Sequence, residues 1–213
     1  MPGSVSRILA GLALFAAATL AVADEAMMPP DVLVKNVTLE VVGIIKSDKD
    51  IQGGDRRKII GLIEAKVLPH FDFTTMTATA VGLAWRKATP EQKQRLTEEF
   101  KTLLVRTYAS ALAAYSDQRF DFRPLHARPS DTDVTVQVRI IQTGSQPVSI
   151  DYGMEKTASG WKAYDVVVGG VSLVANYRTE FGNIVRAEGV DGLIRNLHTK
   201  NESLAQSEEP AKK

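Results

Sequence analysis

The sequence predicts an α+β fold, an antiparallel sheet covered by helices. Three observations predict it. Apolar residues recur at about helical spacing, 3.6 residues, through the first half of the chain. From Phe120 to Val168 the spacing drops to the alternation of strands, and after Gly169-Gly170 the helical spacing returns. Helices first, one run of strands, then helices again is the plan of a sheet with helices packed on its apolar face, and such a plan can enclose a cavity.

Residues Met1 to Ala23 read as a secretory signal: Arg7 supplies the positive start, Ile8 to Leu20 the apolar run, and Ala21-Val22-Ala23 a small-residue cleavage site. The folded domain then spans residues 24–202. From Pro30, Leu33, Val37, Val41, Ile44 and Ile45 mark a first helix, with proline tolerated in its first turn. A second helix runs from Asp55 to Leu68 and must stop before Pro69. Asp72 caps a short helix ending near Gly82 to Trp85. Thr89-Pro90-Glu91-Gln92 is a capping box, and the helix it opens carries Leu96, Phe100, Leu103, Leu104, Tyr108, Ala111, Leu112 and Tyr115 along one stripe.

In the sheet, residues 120–168, Val134, Val136, Val138 and Ile140 alternate with polar residues, as do Val148, Ile150, Tyr152 and Met154 after a turn at Gly144-Ser145-Gln146. A turn at Ala158-Ser159-Gly160 leads to a third strand, Trp161 to Val168. Ser172 caps a helix that ends at Gly189, a shorter helix follows from Asp191 to Asn201, and the polar residues Ser203 to Lys213 are expected to form a disordered tail.

Composition closes several doors. There is no cysteine, so disulfides, thiol catalysis and a lipidated N-terminal cysteine are excluded. Arg7 is the one charged residue of the first 23, so the rest of the chain balances 25 basic against 25 acidic side chains, which argues against a nucleic-acid binder and a polybasic membrane anchor. His70, His126 and His198 are too far apart for a metal site, and no glycine-rich phosphate loop is present. Asp72, Asp165, Tyr164, Asn176 and Arg178 are the polar residues worth weighing; caps and ion pairs explain them better than catalysis does, and no catalytic residue is assigned.

The segments Pro69-His70-Phe71-Asp72-Phe73, Trp85-Arg86-Lys87-Ala88-Thr89-Pro90-Glu91-Gln92, Phe100 through Leu112, Ile150-Asp151-Tyr152 and the run from Gly160 to Leu197 resemble the MlaC family of toluene-tolerance, ABC-transporter auxiliary proteins. The resemblance implies a fold related to nuclear transport factor 2 with an added helical part, enclosing a pocket for phospholipid tails. It implies a monomeric periplasmic carrier serving outer-membrane lipid asymmetry, with phospholipid as cargo and no cofactor or metal. Its implied partners are an outer-membrane lipoprotein complex and an inner-membrane ABC transporter with an MCE-type subunit.

Each methylene kept from water is worth about 0.8 kcal/mol, so a two-chain lipid with roughly 30 methylenes has on the order of 20 kcal/mol of reason not to cross water bare. The expected lining is the inner strand face, Val136, Val138, Ile140, Val148, Ile150, Tyr152, Val166 and Val168, with Phe100, Leu104, Tyr108, Val174, Tyr177 and Phe181 from facing helices. Arg86, Lys87 and Arg178 are placed near enough in type to meet a phosphate, although a solvated or salt-bridged role suits each better. Two rivals remain at this point: a small enzyme, which would show a desolvated Asp beside a Tyr in the pocket, and a structural adaptor, which would show a filled core and no cavity.

The cleavage site makes the first prediction. The exported protein begins at Asp24 and fractionates with soluble periplasm, as its intact mass will show; a product retaining Met1 in the membrane fraction contradicts this.

Overall fold

The computed structural model describes residues 28–113, 118–128 and 130–208. The signal segment, Tyr115, the side chains of Ala111 and Leu112, and residues 209–213 lie outside the described residues.

Helix α1 (Pro30–Ser47) begins on proline with Asp31 in its first turn and Lys46 in its last, signs that suit the helix dipole. Its many β-branched residues would also suit a strand; the helical recurrence of Leu33, Val34, Val41 and Ile45, all buried, decides for the helix because tertiary burial outweighs weak propensity. Asp48 breaks it in an extended conformation and caps the one-turn α2 (Lys49–Gln52), accepting from the Asp50 and Ile51 amides. Asp55 caps α3 (Arg56–Lys66) in the same manner.

A 3-10 turn, Leu68–His70, leads to α4 (Phe73–Val81), where the Thr75 amide donates to Asp72 at 2.9 Å, and α4 stops at Gly82, whose φ of 67° favours glycine. A second 3-10 segment, Gly82–Lys87, precedes α5 (Pro90–Ala113). The capping box at its start is formed in both directions: the Thr89 amide donates to Gln92 Oε1 at 3.0 Å and the Gln92 amide to Thr89 Oγ1 at 3.2 Å.

The sheet is antiparallel and open, its five strands in sequence order: β1 (Arg119–Phe122), β2 (Asp133–Ile141), β3 (Val148–Thr157), β4 (Gly160–Val168) and the two-residue β5 (Val171–Ser172). The register pairs Val136 with Tyr152, Val138 with Ile150 and Ile140 with Val148, then Tyr152 with Val166 and Ile150 with Val168. All of these residues therefore share one face, as their parity predicts. A bulge beside Gly153 leaves Tyr164 over that glycine on the other face, where an added Cβ would stand 3.2 Å from the tyrosine ring.

Helix α6 (Leu173–Glu208) is broken at Gly189, whose φ is 74°. It continues past Asn201 through Glu208, so the expected disordered tail is corrected for residues 203–208: Asn201 is buried and Leu204 packs against the helical core, which a reading of polar composition overlooked.

The apolar residues divide into three clusters. Helices α4, α5 and α6 enclose a core around Phe100, whose ring meets Tyr177 and Phe181 edge-on at 5.2 Å each. A second cluster lies between the sheet and the start of α1, and a third between the end of α1, α2, α3 and α5.

Helices α5 and α6 are also joined by a polar knot. Glu99 accepts from Asn201 Nδ2 at 2.8 Å, and its other oxygen lies 2.8 Å from His198 Nδ1. That hydrogen bond, with the charges of Glu99 and Glu202, raises the His198 pKa above the ordinary histidine value. A raised folded-state pKa contributes stability that is complete below the unfolded value and disappears as pH rises through the folded one. The melting-temperature gap between wild type and His198→Ala should therefore be wider near about pH 5.5 than near about pH 8.5. An equal gap at both would show that the protonated pair adds nothing.

Candidate functional site

Between its two anchored ends, α1 crosses the inner face of the sheet without filling the space beneath it. Leu33 and Val34 pack into the sheet cluster, whereas Val41 and Ile45 pack into the cluster with α2, α3 and α5. Below the span lies a cavity of about 360 Å³. Its roof is Leu33, Val34, Val37, Val41, Val42 and Ile45; its floor is Phe120, Ile140, Ile150, Tyr152, Met154 and Ala163. Thr38, His70, Gln118 and Gln142 add polar atoms, and no carboxylate lines it among the described residues. Burial pushes the Tyr152 phenol up to about 12, as expected where its accessible surface faces the cavity.

One wall is a strap, Val67 to Phe71, held to the edge of β4. Phe71 forms a parallel bridge with Ala163, the Asp72 amide donates to the Ala163 carbonyl at 2.9 Å, and Lys162 Nζ donates to the Pro69 carbonyl at 2.5 Å. The Thr75 hydroxyl lies 2.9 Å from Asp72 Oδ2 and 3.3 Å from Glu155 Oε1. Desolvation, then the hydrogen bond and charge of Asp72, raise the Glu155 pKa; desolvation also pushes Asp72 upward, but its hydrogen bonds from Thr75, with those of Glu155 and Thr74, hold it below the ordinary value. The pair fastens the strap to β3. A second depression of about 430 Å³ on the far side of Phe71 is lined by Asp72, Glu98, Lys101, Lys162 and several hydroxyls, and being open and polar it cannot keep hydrocarbon dry.

Of the fourteen lining residues expected from the sequence, the structure brings Ile140, Ile150 and Tyr152 to the cavity. Val136, Val138 and Val166 share the face but are buried. Val148 and Val168 also share it and are exposed. The six helical residues need correction: Phe100, Leu104, Val174, Tyr177 and Phe181 are buried with Tyr108 against them in the core of α4, α5 and α6, because the stripes of those helices face one another rather than the sheet. The roof comes instead from α1, whose stripe was visible in Leu33, Val37, Val41 and Ile45 but carried no sign of what it faces.

The remaining polar residues have structural roles. Asp165 accepts from the Val166 amide at 2.8 Å and the Ser172 hydroxyl at 2.6 Å, fixing the start of α6, where Ser172 caps the Ala175 amide. Tyr164 donates to Asp133 at 3.2 Å, and Asn176 and Arg178 are exposed. Among the described residues no group of three metal-ligating side chains occurs, and no helix is long and apolar enough to cross a membrane.

An open antiparallel sheet with one helix bridging an apolar chamber defines a container-type α+β protein. Comparison with known proteins places it further. The family model described as MlaC protein matches residues 35–199, and the chain belongs to the MlaC family. It is 26% identical over 188 residues to toluene tolerance protein ttg2D of Pseudomonas putida, covering 88% of this chain and 86% of that one. It is 24% identical over 171 residues to the intermembrane phospholipid transport system binding protein MlaC of Haemophilus influenzae, covering 79% and 80%. A phospholipid-binding protein from Ralstonia solanacearum, solved in complex with a phospholipid, superposes with a TM-score of 0.78 at 38% identity, over 84% of this chain and 99% of that one.

The separation of chamber from solid core gives a stability prediction. Phe100→Ala should cost about 3–5 kcal/mol in urea denaturation, because it empties a filled site. Ile150→Ala should cost less than half as much, because one side of that residue already faces unfilled space. Equal losses would mean that the floor is packed solid.

Proposed function

We propose that this protein is a soluble periplasmic phospholipid carrier, not an enzyme, and that the chamber under α1 holds the acyl chains of its cargo. The observation that carries the reading is the deep, almost wholly apolar cavity in a chain similar to a protein solved with a phospholipid bound. A hydrolase or isomerase on this fold would be expected to pair an acid–base group with a second catalytic group in the pocket; the lining described above offers the His70 imidazole with hydroxyl and amide groups, but no carboxylate beside it. A structural adaptor would have no use for an open chamber, which forfeits dispersion contacts along its walls.

The carrier takes phospholipid from an outer-membrane lipoprotein complex and exchanges it with an inner-membrane ABC transporter carrying an MCE-type subunit. For a shuttle the chamber must match the bilayer closely. Much weaker binding would never extract a lipid and much tighter binding would never release it, so direction comes from the partners.

The test contrasts two faces. Ile150→Asp on the floor and Val41→Asp on the roof place an unpaired carboxylate in a dry site, where it costs several kcal/mol or draws in water, and either outcome displaces hydrocarbon. These variants should purify without lipid, while Gln137→Asp and Ser149→Asp on the outer face should keep it, with folding followed by circular dichroism. Folded Ile150→Asp and Val41→Asp proteins that still extract with a full complement of phospholipid would sink the proposal.

A further inference from the structure

The polar atoms of the chamber are not scattered over its lining. Phe120 pairs with Ile140 and Arg119 with Ile141, and the same register brings Gln118 opposite Gln142, one row past the apolar floor and on its face. Along β2 and β3 that face runs Val134–Met154, Val136–Tyr152, Val138–Ile150 and Ile140–Val148, apolar or aromatic in every row, and the glutamines are where it turns polar. Among the described residues of the lining, Gln142 is also the one that is exposed; the others are buried or half-buried. The chamber therefore has its mouth at Gln118 and Gln142.

The other polar groups of the lining are occupied or stand elsewhere. The Thr38 hydroxyl donates to the Val34 carbonyl at 2.7 Å. His70 belongs to the strap, next to Phe71, whose bridge to Ala163 places it beside Met154 at the far end of the floor. Arg119, Asp121 and Arg139, the charged residues of β1 and β2 nearest the mouth, alternate with the floor residues Phe120 and Ile140 and so stand on the outer face. Neutral amides furnish the mouth, each with two N–H donors and a carbonyl acceptor. From Gln142 to Val134, the partner of Met154, β2 advances eight residues, or about 27 Å at roughly 3.4 Å per residue. One leaflet of a bilayer holds its chains in about 15 Å, half the hydrocarbon thickness. A chain that starts at the glutamines thus ends inside the chamber.

We infer that Gln118 and Gln142 are the seat of the phospholipid's polar neck, their amides donating to its phosphodiester and ester-carbonyl oxygens while the acyl chains run along the floor toward Met154. The inference rests on the carrier reading above. These oxygens are common to diacyl phospholipids of every head group, so neutral donors hold the neck without reading head-group charge, and the head group itself stays outside in water. A cation in the same place would select anionic lipids instead.

The seat is tested by calorimetric titration of the delipidated mature full-length protein with dihexanoyl phosphatidylcholine and dihexanoyl phosphatidylglycerol, each kept monomeric in water, with folding followed by circular dichroism. Wild type should bind the two with similar affinity. Gln118→Leu and Gln142→Leu should each weaken both lipids about fivefold, the worth of one neutral hydrogen bond. Gln142→Lys should shift the preference toward phosphatidylglycerol about threefold, and Gln142→Glu should shift it away by a similar factor. Arg119→Gln on the outer face and His70→Gln on the strap should behave as wild type.

Unchanged affinity in both leucine variants overturns the inference, as does an unchanged lipid preference in both charged variants. A wild-type preference for phosphatidylglycerol that disappears in Arg119→Gln overturns it by putting the phosphate on the outer-face arginine. Weakened binding in His70→Gln with the leucine variants intact overturns it by putting the neck at the strap. A wild type that binds neither lipid and purifies without any fails the carrier reading instead, so the two failures are distinguishable.

Discussion

One face of a five-stranded sheet has to be kept from water, and a single helix of 18 residues is laid across it to do so. A helix seated on a sheet along its whole length would make a solid two-layer core. Here the helix is tied at its two ends to different clusters, Leu33 and Val34 to the sheet and Val41 and Ile45 to α2, α3 and α5, with Val37 between them touching both clusters and the cavity. The chamber lies beneath the span that joins those two anchorages. Its walls have apolar partners on one side alone, so they contribute less to stability than filled core of the same composition.

Stability is therefore placed elsewhere. The Phe100–Tyr177–Phe181 aromatic group and the apolar residues around it make a filled core among α4, α5 and α6, and the Glu99 knot with Asn201 and His198 ties two of these helices together. The polar residues that first suggest chemistry, Asp72, Glu155, Asp165 and Tyr164, serve as caps and fasteners, and several of them pin the strap that walls the chamber. No carboxylate lines the chamber among the described residues, in keeping with the carrier proposed above.

Much of this was legible in the sequence, and the parts that were not share a cause. Caps are local, so Asp72, Thr89 and Ser172 could be placed from neighbouring residues, and strand parity is local too, so Val138, Ile150 and Tyr152 were assigned together to the apolar face. An amphipathic stripe, however, states that a helix is covered and not by what. Phe100 and Tyr177 look from the sequence like residues available to the sheet, yet they cover each other. The stripe of α1 was visible, but its β-branched content left helix and strand both open, which obscured its claim to be the roof. The continuation of α6 to Glu208 rests on the long-range packing of Asn201 and Leu204, which composition does not reveal.

The central claim is a location, the space between α1 and the sheet, and a photoactivatable phospholipid tests it directly. The protein is loaded with a phosphatidylcholine bearing a diazirine near the end of one acyl chain, irradiated, digested and mapped by mass spectrometry. Adducts should fall on the peptides carrying Val37, Val41 and Ile45 and on those carrying Ile140, Ile150 and Tyr152, with none on Phe100 or Phe181. Labelling concentrated in the α5 and α6 core, or confined to exposed residues outside the chamber, would contradict the account.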